Sequence, residues 1–136
     1  MTSMTGSEME DTPRICVDSY GWIERFMAGP KSAAYDRVID GAGKREIITP
    51  VVVLYEVYKR VKTELGEEVA LRDIAALDRT RVVPVDREIA LEAADFSLAH
   101  RLHFSDALIY ATARRFDAHL FTSDPALKGL PGVTLL

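Results

Sequence analysis

The sequence is poor in cysteine, in excess positive charge and in long apolar runs, and each shortage removes a class of protein. Its one cysteine, Cys16, cannot form an internal disulfide; lying between Ile15 and Val17, it reads as a buried strand residue suited to a reducing cytoplasm. No stretch approaches the roughly 18 uncharged apolar residues of a membrane span. The opening residues are polar and acidic, with no basic region followed by an apolar one, so neither membrane insertion nor export is expected and a cytoplasmic protein is. Positive charge is also scarce: 17 Lys and Arg against 21 Asp and Glu leave a formal net charge of −4. That balance argues against gripping nucleic acid by phosphate neutralisation alone. The objection weakens if carboxylates are gathered around divalent cations, which then supply the positive charge that phosphates meet. What is plentiful is apolar content, 48% of 136 residues, enough for one domain with a real core.

Residues 1–12 lack apolar periodicity and read as a loose tail, with the folded domain spanning residues 13–136. Arg14 to Val17 is a short β-favouring run, and Tyr20, Ile23, Phe26 and Met27 then recur at helical spacing until Gly29 and Pro30. A second short helix covers Lys31 to Ile39 and a second strand Glu46 to Thr49. Pro50 suits the first turn of a helix that runs on from Val51 to Glu64, Gly66 breaks it, and Val69 to Leu77 resumes the pattern. Arg81 to Val85, containing Pro84, reads as a strand near a sheet edge. Asp86 caps the next helix, Ser105 is placed to cap the one after it, and His119 to Phe121 is a fourth strand. After Pro125, Gly129 and Pro131, Val133 to Leu136 closes the chain as a fifth. Short apolar strands alternating with amphipathic helices predict an α/β sandwich with a mainly parallel sheet.

In such sheets ligands bind beyond the carboxyl ends of the strands, and that rule sorts the carboxylates. Asp18 follows the first strand and Asp124 the fourth. Glu56 lies early in the helix after the second strand, and Asp106 opens the helix that leads into the fourth. All four can face one cleft. Their mutual repulsion would be costly unless hard divalent cations neutralise it, and the chemistry natural to carboxylate-held Mg²⁺ or Mn²⁺ is phosphodiester hydrolysis.

The segments around them, VDSYGWIE, TPVVVLYEVYK, HFSDALIYATAR and LFTSDPALKGLPGV, resemble the four motifs of PIN domains in order, spacing and surroundings. The similarity covers residues 14–136, and the length is similar to that of VapC toxins from toxin-antitoxin pairs. The resemblance implies a three-layer α/β/α fold with a five-stranded sheet and an endoribonuclease using Mg²⁺ or Mn²⁺. It implies that Asp18 and Asp106 hold metal directly, Asp124 completes the site, and Glu56 holds metal or positions water. Thr122 and Ser19 would be helpers that orient carboxylates or water. It further implies a homodimer and a VapB-like antitoxin partner. Similar proteins often carry a small residue where this chain has Tyr110, which either packs or narrows the RNA groove. The alternatives are a housekeeping RNA-processing nuclease of the same family and a non-catalytic binding module on the same fold.

Each residue also has a plainer reading. Asp18 and Asp124 are good helix caps, Asp106 suits a helix dipole, and Glu56 can pair with Arg60 at i+4. Singly those readings would win; four coincidences in family order outweigh them. His100 and His103 lack a third ligand at zinc spacing and read as helix-end residues. Trp22 with Phe26 and Leu54 with Tyr58 read mostly as core. Arg114, Arg115 and the Lys59 to Lys62 cluster are candidate phosphate contacts, although charged helix faces are usually only solvated.

Overall fold

The computed structural model describes residues 14–43 and 46–136; the expected tail, residues 1–12, lies outside the described residues. Five strands, β1 (Arg14–Val17), β2 (Ile47–Pro50), β3 (Arg81–Val83), β4 (Ala118–Thr122) and β5 (Val133–Leu135), are joined by six α-helices. These are α1 (Ser19–Met27), α2 (Ser32–Asp40), α3 (Val51–Leu65), α4 (Glu67–Leu77), α5 (Arg87–His100) and α6 (Phe104–Arg115). The sheet runs β3-β2-β1-β4-β5 and every pairing is parallel.

Successive crossovers from β1 to β2 to β3 travel one way along the sheet, and the crossover from β3 to β4 travels back. Because such crossovers are right-handed, the two sets of helices cover opposite faces, giving three layers. Strand cores are correspondingly apolar on both faces: Ile15, Cys16, Val17, Ile48 and Leu120 are all buried. Val53, Val57 and Val61 bring the buried stripe of α3 to the same core, while Ala107, Ala111 and Ala113 let α6 lie close. Loss of the Leu120 side chain would cost about 2–5 kcal/mol by the usual large-to-small rule.

Several boundaries shift from their predicted places. Pro50 is the last residue of β2 and precedes the helix, because its carbonyl side still pairs with Val83. The third strand stops at Val83, before Pro84, whose missing N–H ends the ladder. Helix α6 starts at Phe104 with His103 in the cap position and no side-chain cap bond, so Ser105 is inside the first turn and is not its cap. Asp86 caps α5 as expected, accepting the Ile89 N–H at 2.8 Å. Tyr110 packs: it is 2% exposed and donates from its hydroxyl to the Pro131 carbonyl at 2.9 Å.

Candidate active site

Strand order reverses direction between β1 and β4, and a sheet's ligand crevice opens at such a switch. The two strands leave it side by side. Val17 stands opposite Phe121, and the Asp18 N–H continues the ladder by donating to the Phe121 carbonyl at 3.2 Å. One residue on, the buried Thr122 hydroxyl donates to Asp18 Oδ2 at 2.5 Å and accepts the Asp124 N–H at 3.0 Å. Asp18 Oδ1 accepts the Gly21 N–H at 2.8 Å, which caps α1, and Asp124 Oδ1 accepts the Ala126 N–H at 2.9 Å. Both carboxylates are therefore tied to backbone on either side of the switch.

Asp106 enters from the first turn of α6 and Glu56 from the second turn of α3. Glu56 does not pair with Arg60, which bonds Glu64; it accepts the Ser19 hydroxyl at 2.6 Å. Asp18, Ser19, Glu56, Asp106 and Asp124 thus line one cleft of ≈ 320 Å³, joined by Tyr20, Lys31, Ser105 and Ser123. Thr122 stands behind it as the link between Asp18 and Asp124.

The electrostatics are those of crowded carboxylates. Burial raises the Asp18 carboxyl above its ordinary range, against the opposing hydrogen bonds from Thr122, Gly21 and Ser123. Burial also pushes Asp106 up to about 7, helped by its hydrogen bond with Asp124 and by the charges of Asp124, Asp18 and Glu56. Asp124 moves down, because the Asp106 proton and the Ala126 N–H both favour its ionised form. The two shifts are opposite in sign, so of the pair Asp106 is the member that takes up a proton first as pH falls. The donor set is all oxygen and acidic, which suits a hard divalent ion. Among the described residues no three His, Cys, Asp or Glu side chains converge into a ready-made metal cage. Mg²⁺ does not require one, since it takes one or two carboxylates and completes its shell with water and substrate oxygens. The residues fit the group.

Sequence reasoning missed four residues that shape this cleft. Tyr35 is wholly buried and hydrogen-bonds the Ser123 hydroxyl at 2.7 Å, and Gly21 makes room for it: a Cβ there would sit 2.4 Å from the Tyr35 ring and 2.6 Å from Val17. Glu24, buried on α1, accepts the Lys31 N–H at 2.6 Å. Among the described residues Lys31 is the sole basic side chain lining the cleft, and its Nζ donates to the Leu136 carbonyl at 2.9 Å. Only the glycine directly after a predicted strand-helix junction carried a local signal; the rest depend on contacts distant in sequence. His100 and His103 fall on different elements: His100 stacks on Phe96 in the last turn of α5, and His103 precedes α6.

Comparison with known proteins agrees with this architecture. No curated protein matches the sequence. Solved structures do: a toxin-antitoxin complex from Klebsiella pneumoniae superposes with a TM-score of 0.75 at 21% identity, covering 88% of this chain and 95% of that one. VapBC2 from Rickettsia felis, bound to a promoter DNA fragment, gives 0.71 at 16% identity over 90% and 96% of the two chains. VapC20 of Mycobacterium tuberculosis, a sarcin-ricin loop cleaving toxin, gives 0.64 at 22% identity over 77% and 85%. At these identities the likeness is one of fold. The model of the PIN domain matches residues 15–133, which with the four carboxylates at the switch places this chain in the PIN domain family.

Proposed function

We propose that the protein is a divalent-metal-dependent endoribonuclease and the toxin of a VapBC-type toxin-antitoxin pair. The observation that carries the reading is the acidic cleft at the β1/β4 switch, where Asp18, Glu56, Asp106 and Asp124 line one hollow and burial with the neighbouring carboxylates raises Asp106 to about 7. Asp18, Asp106, Asp124 and Glu56 would hold Mg²⁺ or Mn²⁺. When bound, the ion supplies positive charge for the phosphodiester and lowers the pKa of an attacking water.

The chain's own groups do the rest. Thr122 and the Gly21 N–H hold both Asp18 oxygens, so that carboxylate cannot rotate away. Ser19 holds Glu56 in the same manner, leaving its second oxygen to orient water. Asp106 would face the ion as a carboxylate, the form its neighbours disfavour while the cleft holds carboxylates alone. Water adds to phosphorus as the bond to the 3′ oxygen breaks; the water loses a proton to solvent and the 3′ oxygen gains one from it, which yields a 5′ phosphate and a 3′ hydroxyl.

The toxin assignment rests on the family together with the toxin-antitoxin complexes among structures of the same fold. It brings with it a VapB-like antitoxin that closes the cleft, a homodimer, and action in the cytoplasm. Among the described residues no helix is long and apolar enough to cross a membrane. The test is cleavage of total cellular RNA by purified protein with Mg²⁺, Mn²⁺ or EDTA. Metal-dependent cleavage that Asp18→Asn and Asp106→Asn both abolish is expected; cleavage that survives either change, or its absence with every metal, refutes the reading.

A further inference from the structure

The acidic cleft has room for a phosphate and its waters, so the bases flanking a scissile bond must rest outside it. Two hollows share the Glu56 wall with it. One, of ≈ 590 Å³, is lined by Val52, Tyr55, His103 and Phe104 with Glu56 and Ser105 at the cleft end. The other, of ≈ 420 Å³, lies between α1 and α3 and brings Tyr20, Ile23, Lys59 and Arg60 against Ser19, Glu56 and the same Tyr55. Tyr55 is the ridge between them. It is 62% exposed, and Phe104 across the first hollow is 79% exposed, although both belong to helices whose other faces are in the core. One turn along α3, Lys59 holds its Nζ 5.6 Å from the Tyr55 ring centroid. An aromatic face, a cation one turn away and a neighbouring acidic cleft form the combination that a single nucleotide strand requires: a surface for a base and a charge for the next phosphate.

We propose that Tyr55 and Lys59 form a nucleotide subsite that takes an unpaired RNA base beside the scissile phosphate, with the base on the Tyr55 ring and the adjoining phosphate on Lys59. The proposal rests on the nuclease reading and adds to it the place on this chain where one unpaired base is held. In a duplex both faces of each base are already stacked and cannot reach Tyr55.

The probe is a short, unstructured, end-labelled RNA oligonucleotide and the same strand annealed to its complement. Cleavage kinetics are measured with Tyr55→Ala, Tyr55→Trp and Lys59→Gln, and binding is measured by fluorescence anisotropy in an Asp106→Asn background with Mg²⁺. Tyr55→Ala raises KM and the dissociation constant about 5- to 150-fold, the range set by about 1–3 kcal/mol of stacking per base, with kcat nearly kept. Tyr55→Trp restores both, Lys59→Gln flattens the salt dependence of binding, and the annealed strand binds weakly to all variants alike. Wild-type KM and binding in Tyr55→Ala overturn the subsite. So does a change of oligomeric state or of antitoxin capture with RNA kinetics untouched, since Tyr55 would then serve a protein interface. A wild-type protein that neither cleaves nor binds RNA is distinguishable from these, because there the nuclease reading itself falls and the subsite falls with it.

Discussion

Replacing Thr122 with valine removes one hydroxyl from a fully buried position with almost no change of shape, and it touches the cleft at two points. The hydroxyl donates to Asp18 Oδ2 and accepts the Asp124 N–H. Without it, a buried carboxylate oxygen loses its donor, worth about 1.5–3 kcal/mol for a charged acceptor, and a backbone N–H loses its partner, at about 1–3 kcal/mol if no water reaches it. Water can reach Asp124 from the cleft, so a total near 2–4 kcal/mol at neutral pH is expected. At the proposed metal site the same loss would weaken binding. Burial already raises the Asp18 carboxyl and the Thr122 bond opposes that rise, so valine lifts it further and leaves the carboxylate freer to turn. Changes to residues that orient metal ligands typically cost 10- to 100-fold in affinity or activity, and about that weakening of Mn²⁺ binding is expected. Urea unfolding measures the first quantity and calorimetric Mn²⁺ titration the second. Thr122→Ser keeps the hydroxyl and separates the effects: it should bind Mn²⁺ nearly as wild type does while losing about 1 kcal/mol for the missing methyl. Valine that binds Mn²⁺ like wild type, or serine that fails as valine does, would show that the hydroxyl does not set the Asp18 carboxylate.

Metal affinity should rise with pH through about 7, where the Asp106 proton is lost. A carboxyl whose folded pKa is raised favours the fold below its unfolded pKa and loses that contribution as pH climbs through the folded value, so the metal-free protein should weaken over the same interval while added Mn²⁺ restores it. Mn²⁺ titrations on either side of pH 7 that coincide would contradict the raised Asp106 carboxyl. Gly21→Ala drives a methyl into the Tyr35 ring and Val17 and should cost about 1–3 kcal/mol as overpacking, read by urea unfolding; a loss within about 0.5 kcal/mol would mean that the α1 contact yields. Lys31→Gln removes the one cation that the described residues bring to the cleft lining. It should lower the slope of log affinity for single-stranded RNA against log salt by about 0.7, and an unaltered slope would show that Lys31 stays on the Leu136 carbonyl in the complex.

The period of the apolar residues made the strands and helices legible, because an all-parallel sheet covered on both faces leaves continuous runs such as Ile15 to Val17 that have few other readings. Boundaries failed where one residue served two masters. Pro50 looks like a first-turn residue by its ring, yet its neighbours across the sheet keep it in β2. Ser105 looks like a cap by its hydroxyl, yet the αR geometry begins at Phe104 and carries Ser105 into the cleft instead. The four carboxylates were readable from strand ends, whereas Glu24, Lys31 and Tyr35 were not, since their roles depend on contacts that no local spacing encodes. The Tyr35 bond to Ser123 spans 88 residues.

The plainer reading of Asp18 and Asp124 as helix caps turns out to be compatible with the functional one. Each does cap a helical turn, through the N–H of Gly21 or Ala126. A cap engages one oxygen of a carboxylate and fixes the plane of the group, which leaves the second oxygen directed away from the backbone. For Asp18 that second oxygen meets Thr122, itself anchored to the loop that carries Asp124. Capping therefore holds both carboxylates in place before any ion arrives, and the repulsion this entails falls on Asp106, which among the described residues no backbone N–H or hydroxyl stabilises and whose carboxyl is pushed up to about 7. A cation entering such a site has little to reorganise: it displaces one proton and gains two carboxylates already oriented. On this reasoning proton release on Mn²⁺ binding, measured in buffers of different ionisation enthalpy, should be largest well below pH 7, should fall away as pH rises through about 7, and should be lost in Asp106→Asn. Release that persists in that variant would place the proton elsewhere.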